Sequence, residues 1–150
     1  MDNIVLEIKS TQEIDGQSDK TEFVSYGKYL YSENGVEVTY DESVALGVDN
    51  VTTNLTVDKN GVVKIIRNNG DFGCLVVEEG KRHLCQYHTA YGNLMIGIYG
   101  NKVENELKSY GGNLTLIYSI EVNSGLLSRN KVEIKIREEK QMFFIFGFGP

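Results

Sequence analysis

The sequence predicts an all-β protein of antiparallel strands, about eight to ten of them, built around one core. Three observations carry this. Val, Ile and Thr number 15, 12 and 8, and with nine Tyr and six Phe they make up a third of the 150 residues, whereas Ala occurs twice. That balance favours pleated over helical backbone. Apolar and polar residues alternate with period two through most of the chain. The alternating runs are broken by Gly, Asn and Asp, not by proline, whose single copy is Pro150.

In order, Ile4, Leu6 and Ile8 alternate with Val5, Glu7 and Lys9. Phe23 to Tyr26 and Tyr29 to Tyr31 follow, with Gly27 between them read as a bulge or sharp bend. Val36, Val38 and Tyr40 alternate with Glu37, Thr39 and Asp41, and Thr53, Leu55 and Val57 come next. Asp58-Lys59-Asn60-Gly61 reads as a hairpin turn leading to Val63, Ile65 and Arg67. Cys74 to Glu78 and Arg82 to Thr89 flank Glu79-Gly80, which reads as a second tight hairpin. Leu94, Ile96 and Ile98 follow Gly92-Asn93; Gly111-Gly112 introduces Leu114, Leu116, Tyr118, Ile120 and Val122; Val132, Ile134 and Ile136 close the series. Ser43 to Leu46 and Val103 to Leu107 are read as helical turns, each too short for an independent helix. No linker or fixed repeat divides the chain, so residues 1–150 are expected to form one domain, with the barrel over about 3–138.

Sandwich and barrel both fit this pattern. Strand edges without proline, and Gly27, Gly73, Gly92 and Gly97 within or beside strands, favour a closed barrel, which has no edges and bends at glycine. The formal net charge of −6 argues against nucleic acid, since phosphate binding needs clustered Lys and Arg. No apolar run reaches 18 residues and no charged-then-apolar leader opens the chain, so neither membrane insertion nor secretion is expected. The expected location is the cytoplasm of a bacterium.

Several runs, in order and spacing, are shared with a known family: Tyr29-x-Tyr31, Tyr40-x-Glu42-Ser43, Thr52-Thr53-x-Leu55 and Ile65-x-Arg67, then Tyr87-x-Thr89-x-x-Gly92, Gly112-x-Leu114-x-Leu116-x-Tyr118 and Asn130-x-Val132-x-Ile134-x-Ile136. With them the chain resembles the YwiB-like family of uncharacterised bacterial proteins from about Asn3 to Glu138. The resemblance implies a closed, up-and-down, calycin-like barrel similar to lipocalins and fatty-acid-binding proteins. It implies no activity, because the family is a domain of unknown function. The chain departs from the family where Arg67-Asn68-Asn69-Gly70 replaces an Arg-x-Gly turn, and in its tail.

Strand parity singles out four site candidates. Glu42 shares a face with Val36, Val38 and Tyr40; Arg67 shares one with Val63 and Ile65; Tyr118 lies among Leu114, Leu116 and Ile120. All four are expected inside, and a buried carboxylate and guanidinium are expected to pair. Two readings stand. Tyr40, Glu42, Arg67 and Tyr118 fix the polar end of a small amphipathic ligand, with Arg67 meeting an anionic group, or they form a self-satisfied network closing one barrel end.

Other chemistry finds little support. With a two-residue turn at Glu79-Gly80, Cys74 and Cys85 face each other beside His83, one ligand short of a structural zinc site and without CxxC spacing. No metal or cofactor is expected. His83 and His88 face opposite sides of a strand, and no G-x-S-x-G, HExxH or P-loop occurs. An enzyme is therefore not expected, and one using Glu42 or His88 as base is the third reading. The apolar tail Met142 to Phe148 is expected to pair as an extra strand, to mediate a homodimer or to plug the barrel, in that order. The sequence thus predicts a non-enzymatic barrel binding a small, partly apolar ligand, with a homo-oligomeric interaction module as the alternative.

Overall fold

The structure, a computed structural model, describes residues 3–43, 47, 49–68, 74–123 and 125–139. Ten strands are its regular elements: β1 (Ile4–Ile14), β2 (Gln17–Ser32), β3 (Gly35–Asp41), β4 (Thr52–Asp58), β5 (Val63–Arg67), β6 (Leu75–Val77), β7 (Arg82–Thr89), β8 (Gly92–Lys108), β9 (Gly111–Val122) and β10 (Gly125–Glu138). They form one sheet in the order β6-β5-β4-β3-β2-β1-β10-β9-β8-β7. Every pair is antiparallel, and each strand pairs with its neighbours in sequence except that β6 and β7, the two outermost strands of the sheet, do not pair with each other. The sheet curls into a nearly closed up-and-down barrel.

Pairing of β1 with β10, from Ile4↔Glu138 to Glu13↔Arg129, joins the two ends of the series. The remaining seam lies between β6 and β7. There the Gly80 N–H donates to the Gly100 carbonyl (2.8 Å) and the Gly100 N–H to that of Lys81 (3.1 Å). The Glu79 carboxylate accepts the Val103 N–H at 3.0 Å. Gly100 is required here, because a Cβ would overlap the Glu78 carbonyl.

Alternation decides what fills the interior. Ile4, Leu6 and Ile8 of β1, Val36, Val38 and Tyr40 of β3, Leu55 and Val57 of β4, Val63 of β5, Val77 of β6, Leu114 and Leu116 of β9, and Ile134 and Ile136 of β10 form the buried cluster. At the end of the barrel carrying the Asp58–Gly61 turn these aliphatic side chains mesh tightly. The Tyr29 hydroxyl crosses that end to donate to the Lys108 carbonyl at 2.6 Å.

Three local expectations are corrected. Glu79-Gly80 is not a hairpin: β6 pairs with β5 and β7 with β8, so Cys85 lies opposite Ile96, and Cys74 and Cys85 share no register. Val103 to Leu107 is strand, part of β8 against β9. Apolar residues four apart suit a helix face and a strand face equally, which is why the spacing misled. Gly27 is no bulge; it continues β2 between Ile4 and Tyr40, where a Cβ would overlap the Thr39 carbonyl. The register shifts fall instead between Gly100 and Lys102 and between Leu126 and Ser128. The expected helical turn from Ser43 lies, beyond Ser43 itself, outside the described residues, as does the tail 141–150 with its expected homodimer contact. The Asp58–Gly61 turn forms as expected: Asp58 Oδ1 accepts the N–H groups of Asn60 and Val62, and Gly61 takes φ +82°.

Candidate functional site

The polar cluster is built at the barrel end opposite the Asp58–Gly61 turn. Cross-strand register sets Gly27, Tyr40, Thr53 and Arg67 in one row across β2, β3, β4 and β5. Glu42 is one inward step beyond Tyr40, just past the end of β3. Its N–H donates to the Val51 carbonyl at 2.8 Å, and Asp41 Oδ1 accepts the Ser43 N–H at 2.7 Å. These bonds keep the chain extended, so parity holds and the Glu42 carboxylate points inward, 4% exposed. The Ser43 bonds, side-chain first, also hold the Asp41 carboxyl below the usual carboxylate range.

Glu42 is the hub. Arg67 Nε donates to Oε1 at 3.3 Å and Arg67 Nη2 to Oε2 at 3.2 Å, a two-point guanidinium–carboxylate contact. Thr53 Oγ1, fully buried, donates to Oε1 at 2.5 Å. The Arg67 side chain is 28% exposed, so the pair is reached by solvent from the arginine side.

Tyr118 approaches from the opposite wall. A second row runs Gln12, Asn130, Tyr118 and Gly100 across β1, β10, β9 and β8. Burial pushes the Tyr118 phenol up; Arg67 opposes this and Glu42 reinforces it. Burial likewise raises Tyr40, with the Glu42 charge adding to it. Both phenols thus stay protonated at neutral pH and can donate.

Between these rows lies a half-enclosed cavity of about 210 Å³. Tyr40, Glu42, Arg67, Tyr118 and Asn130, with Ser10 and Gln12 of β1, supply its polar lining, and Ile8, Phe23, Ile65, Leu75, Ile120 and Val132 most of its apolar wall. All four sequence-predicted residues therefore meet at one cavity. Sequence reasoning missed Thr53, which shares the inner face of β4 with Leu55 and Val57, and Asn130, which shares that of β10 with Val132 and Ile134. Their signal was the same alternation, carried by a polar residue where an aliphatic one was due.

The other candidates separate. The half-buried Cys74 and the buried Cys85 form no disulfide. His83 Nε2 sits 2.9 Å from Glu78 Oε1, and Lys81 Nζ lies 3.2 Å from the other Glu78 oxygen, beside the seam. These two partners, His83 first, hold the Glu78 carboxyl low. His88, exposed, turns Nδ1 to Asn93 Oδ1 at 2.6 Å. Among the described residues no three His, Cys, Asp or Glu side chains group to hold a metal ion, and no helix is long and apolar enough to cross a membrane.

Residues 6–134 match the profile of a family described as Domain of unknown function (DUF1934). The chain belongs to this family. The DUF1934 chain also overlays the crystal structure of ywiB protein from Bacillus subtilis with a TM-score of 0.71, 22% identity and 93% coverage of both chains. At that identity the likeness shows the fold: the ten-stranded DUF1934 barrel is that of the ywiB protein. Two crystal forms of PNGF-II reach TM-scores of only 0.25 and 0.26 and carry no argument. No curated protein matches the DUF1934 chain.

Proposed function

We propose that this protein binds a small, partly apolar molecule in the cavity at the polar end of its barrel, as a cytoplasmic, non-enzymatic carrier or sensor using its interior as lipocalins use theirs. The observation behind this reading is the 210 Å³ of space left where a guanidinium, a carboxylate and two phenols converge on an aliphatic wall. Small-molecule sites have that composition, mostly apolar with a few convergent polar groups, although they usually span about 300–1,000 Å³. The smaller volume here points to a compact ligand, the size of about seven waters at ~30 Å³ each.

Native mass spectrometry of protein purified gently from a bacterial host tests the reading. The expected result is a reproducible non-covalent adduct, lost on denaturation and lost in Val132→Phe, which fills the cavity from β10. Clean unliganded mass in wild type, or an adduct that survives Val132→Phe, counts against it.

Self-association is the second reading. Its support is an outer stripe on β2, where Val24, Tyr26 and Leu30 are 56%, 60% and 60% exposed. A dimer in sedimentation that becomes monomeric in Tyr26→Lys, with no adduct in either state, would favour it over the carrier.

A further inference from the structure

We infer that the group bound at the polar end of the cavity is uncharged, a carbonyl, amide or hydroxyl on a compact apolar body, and that the Tyr118 hydroxyl is its principal hydrogen-bond partner. This rests on the reading of the cavity as a binding site and specifies what that site accepts.

The first ground is charge. Arg67 is committed to Glu42 through two contacts of 3.3 and 3.2 Å, and Thr53 supplies a further hydrogen bond to the same carboxylate. The pair is electrically closed. An anionic ligand beside Arg67 would place a second negative charge next to the buried Glu42 carboxylate, which is 4% exposed. A cationic ligand would compete with Arg67 for that same carboxylate. Either adds a like charge beside a pair that is already neutral, in a cavity walled largely by apolar side chains, which is unfavourable. The anion-binding role expected of Arg67 from its residue type is thus disfavoured by the partner the fold gives it.

The second ground is the Tyr118 hydroxyl. The residue is 9% exposed and lines the cavity, yet its hydroxyl makes no hydrogen bond with the described residues. Among those residues no fully enclosed side-chain oxygen or nitrogen lacks a partner. The Tyr118 hydroxyl therefore opens onto the cavity space itself. A protonated phenol both donates and accepts one hydrogen bond, which suits a neutral carbonyl, amide or hydroxyl.

The third ground is shape. Below the cavity the space among Leu6, Val38, Leu55 and Leu114 admits no water-sized probe, so a long acyl chain has nowhere to extend. A ring or short branched chain with one polar substituent fits.

Four probes with a common ring decide it: benzyl alcohol, benzamide, benzoate and benzylamine, titrated into the full chain and followed by amide-resolved NMR. The expected outcome is that the two neutral probes shift resonances of Phe23, Ile120 and Val132, while the two charged ones bind at least tenfold more weakly. In Tyr118→Phe, whose free spectrum should match wild type away from the substitution, the neutral probes should weaken about tenfold. Benzoate or benzylamine binding as tightly as benzyl alcohol overturns the inference and leaves the cavity reading standing. Unchanged binding in Tyr118→Phe also overturns it, by assigning the polar end to another group. If none of the four perturbs the cavity resonances, the underlying reading falls and the inference with it.

Discussion

The two ends of the barrel interior use the same alternating strands and reach opposite results. Around Leu6, Val38, Leu55 and Leu114, the inward positions are aliphatic apart from Tyr29 and Tyr40, and the side chains leave no room for water. Around Glu42, Arg67 and Tyr118, inward positions turn polar on most walls at once, and 210 Å³ stays open. Branched aliphatics interdigitate without regard to direction and reach crystal-like density. A carboxylate or guanidinium must instead be held at bonding distance from specific partners, and the atoms around it cannot collapse further. The difference teaches that the cavity follows from satisfying the polar groups, and is not a packing defect that neighbouring side chains could have filled.

Truncation should break the symmetry between the ends most visibly. Leu6→Ala, at a site with no exposure, is expected to lose about 3 kcal/mol, whereas Ile120→Ala on the cavity wall should lose about 1, because its surroundings are already incompletely packed. Urea midpoints at constant m-value measure both. Equal losses would mean that the two ends are packed alike.

Next comes the ion pair. Arg67→Met leaves the Glu42 carboxylate buried with only the hydroxyls of Thr53 and Tyr40 beside it and is expected to lose about 2 kcal/mol. That is less than a fully enclosed pair would lose, since Arg67 is 28% exposed. Adding Glu42→Gln should recover most of the loss, and a double-mutant cycle isolates the coupling. Additive losses would show that the pair does not act as a unit.

The smallest effect lies in alkali and compares tyrosines of the two ends. Burial, with Tyr31 nearby, pushes Tyr29 at the packed end up to about 12, and burial also raises Tyr40 and Tyr118 at the cavity. An unfolded chain releases these protons near pH 10, while the fold retains them. Stability should therefore be intact below pH 10 and fall as pH rises above it, with the Tyr29 contribution levelling off past about 12. Each retained proton adds a slope of up to about 1.4 kcal/mol per pH unit. Tyr29→Phe and Tyr118→Phe should each flatten that limb in thermal scans between pH 9 and 12; an unchanged limb would place those phenols in water.

Most of this architecture was legible because period-two alternation is a local property. Parity alone carried Tyr40, Glu42, Arg67 and Tyr118 to one interior, and the family resemblance carried closure. What local pattern could not show was partnership. Glu79-Gly80 has the chemistry of a tight turn, and only a distant glycine, Gly100, allows those residues to bond across the seam instead. Val103 and Leu107 carry a spacing that two periods share, and β9 resolves it. Arg67 looks like an anion receptor as a residue type; that Glu42 occupies it depends on loop hydrogen bonds to Val51 and Ser43, contacts whose spacing no strand pattern encodes.

Because β1 zips to β10, the most sequence-distant strands are neighbours, whereas the sequence-adjacent β6 and β7 share the seam. Asn3 and Glu139 already touch, through a 3.0 Å backbone hydrogen bond. Linking them by a short loop and cutting the chain at Gly80 would reorder the strands as β7 to β10 followed by β1 to β6. In that rearranged chain every strand pair would be a hairpin between consecutive segments, and only the few bonds of the seam, instead of a whole strand ladder, would join partners more than a hundred residues apart. The native order makes completion of the barrel wait for its last strand, so a ribosome-bound chain cannot close before β10 has emerged.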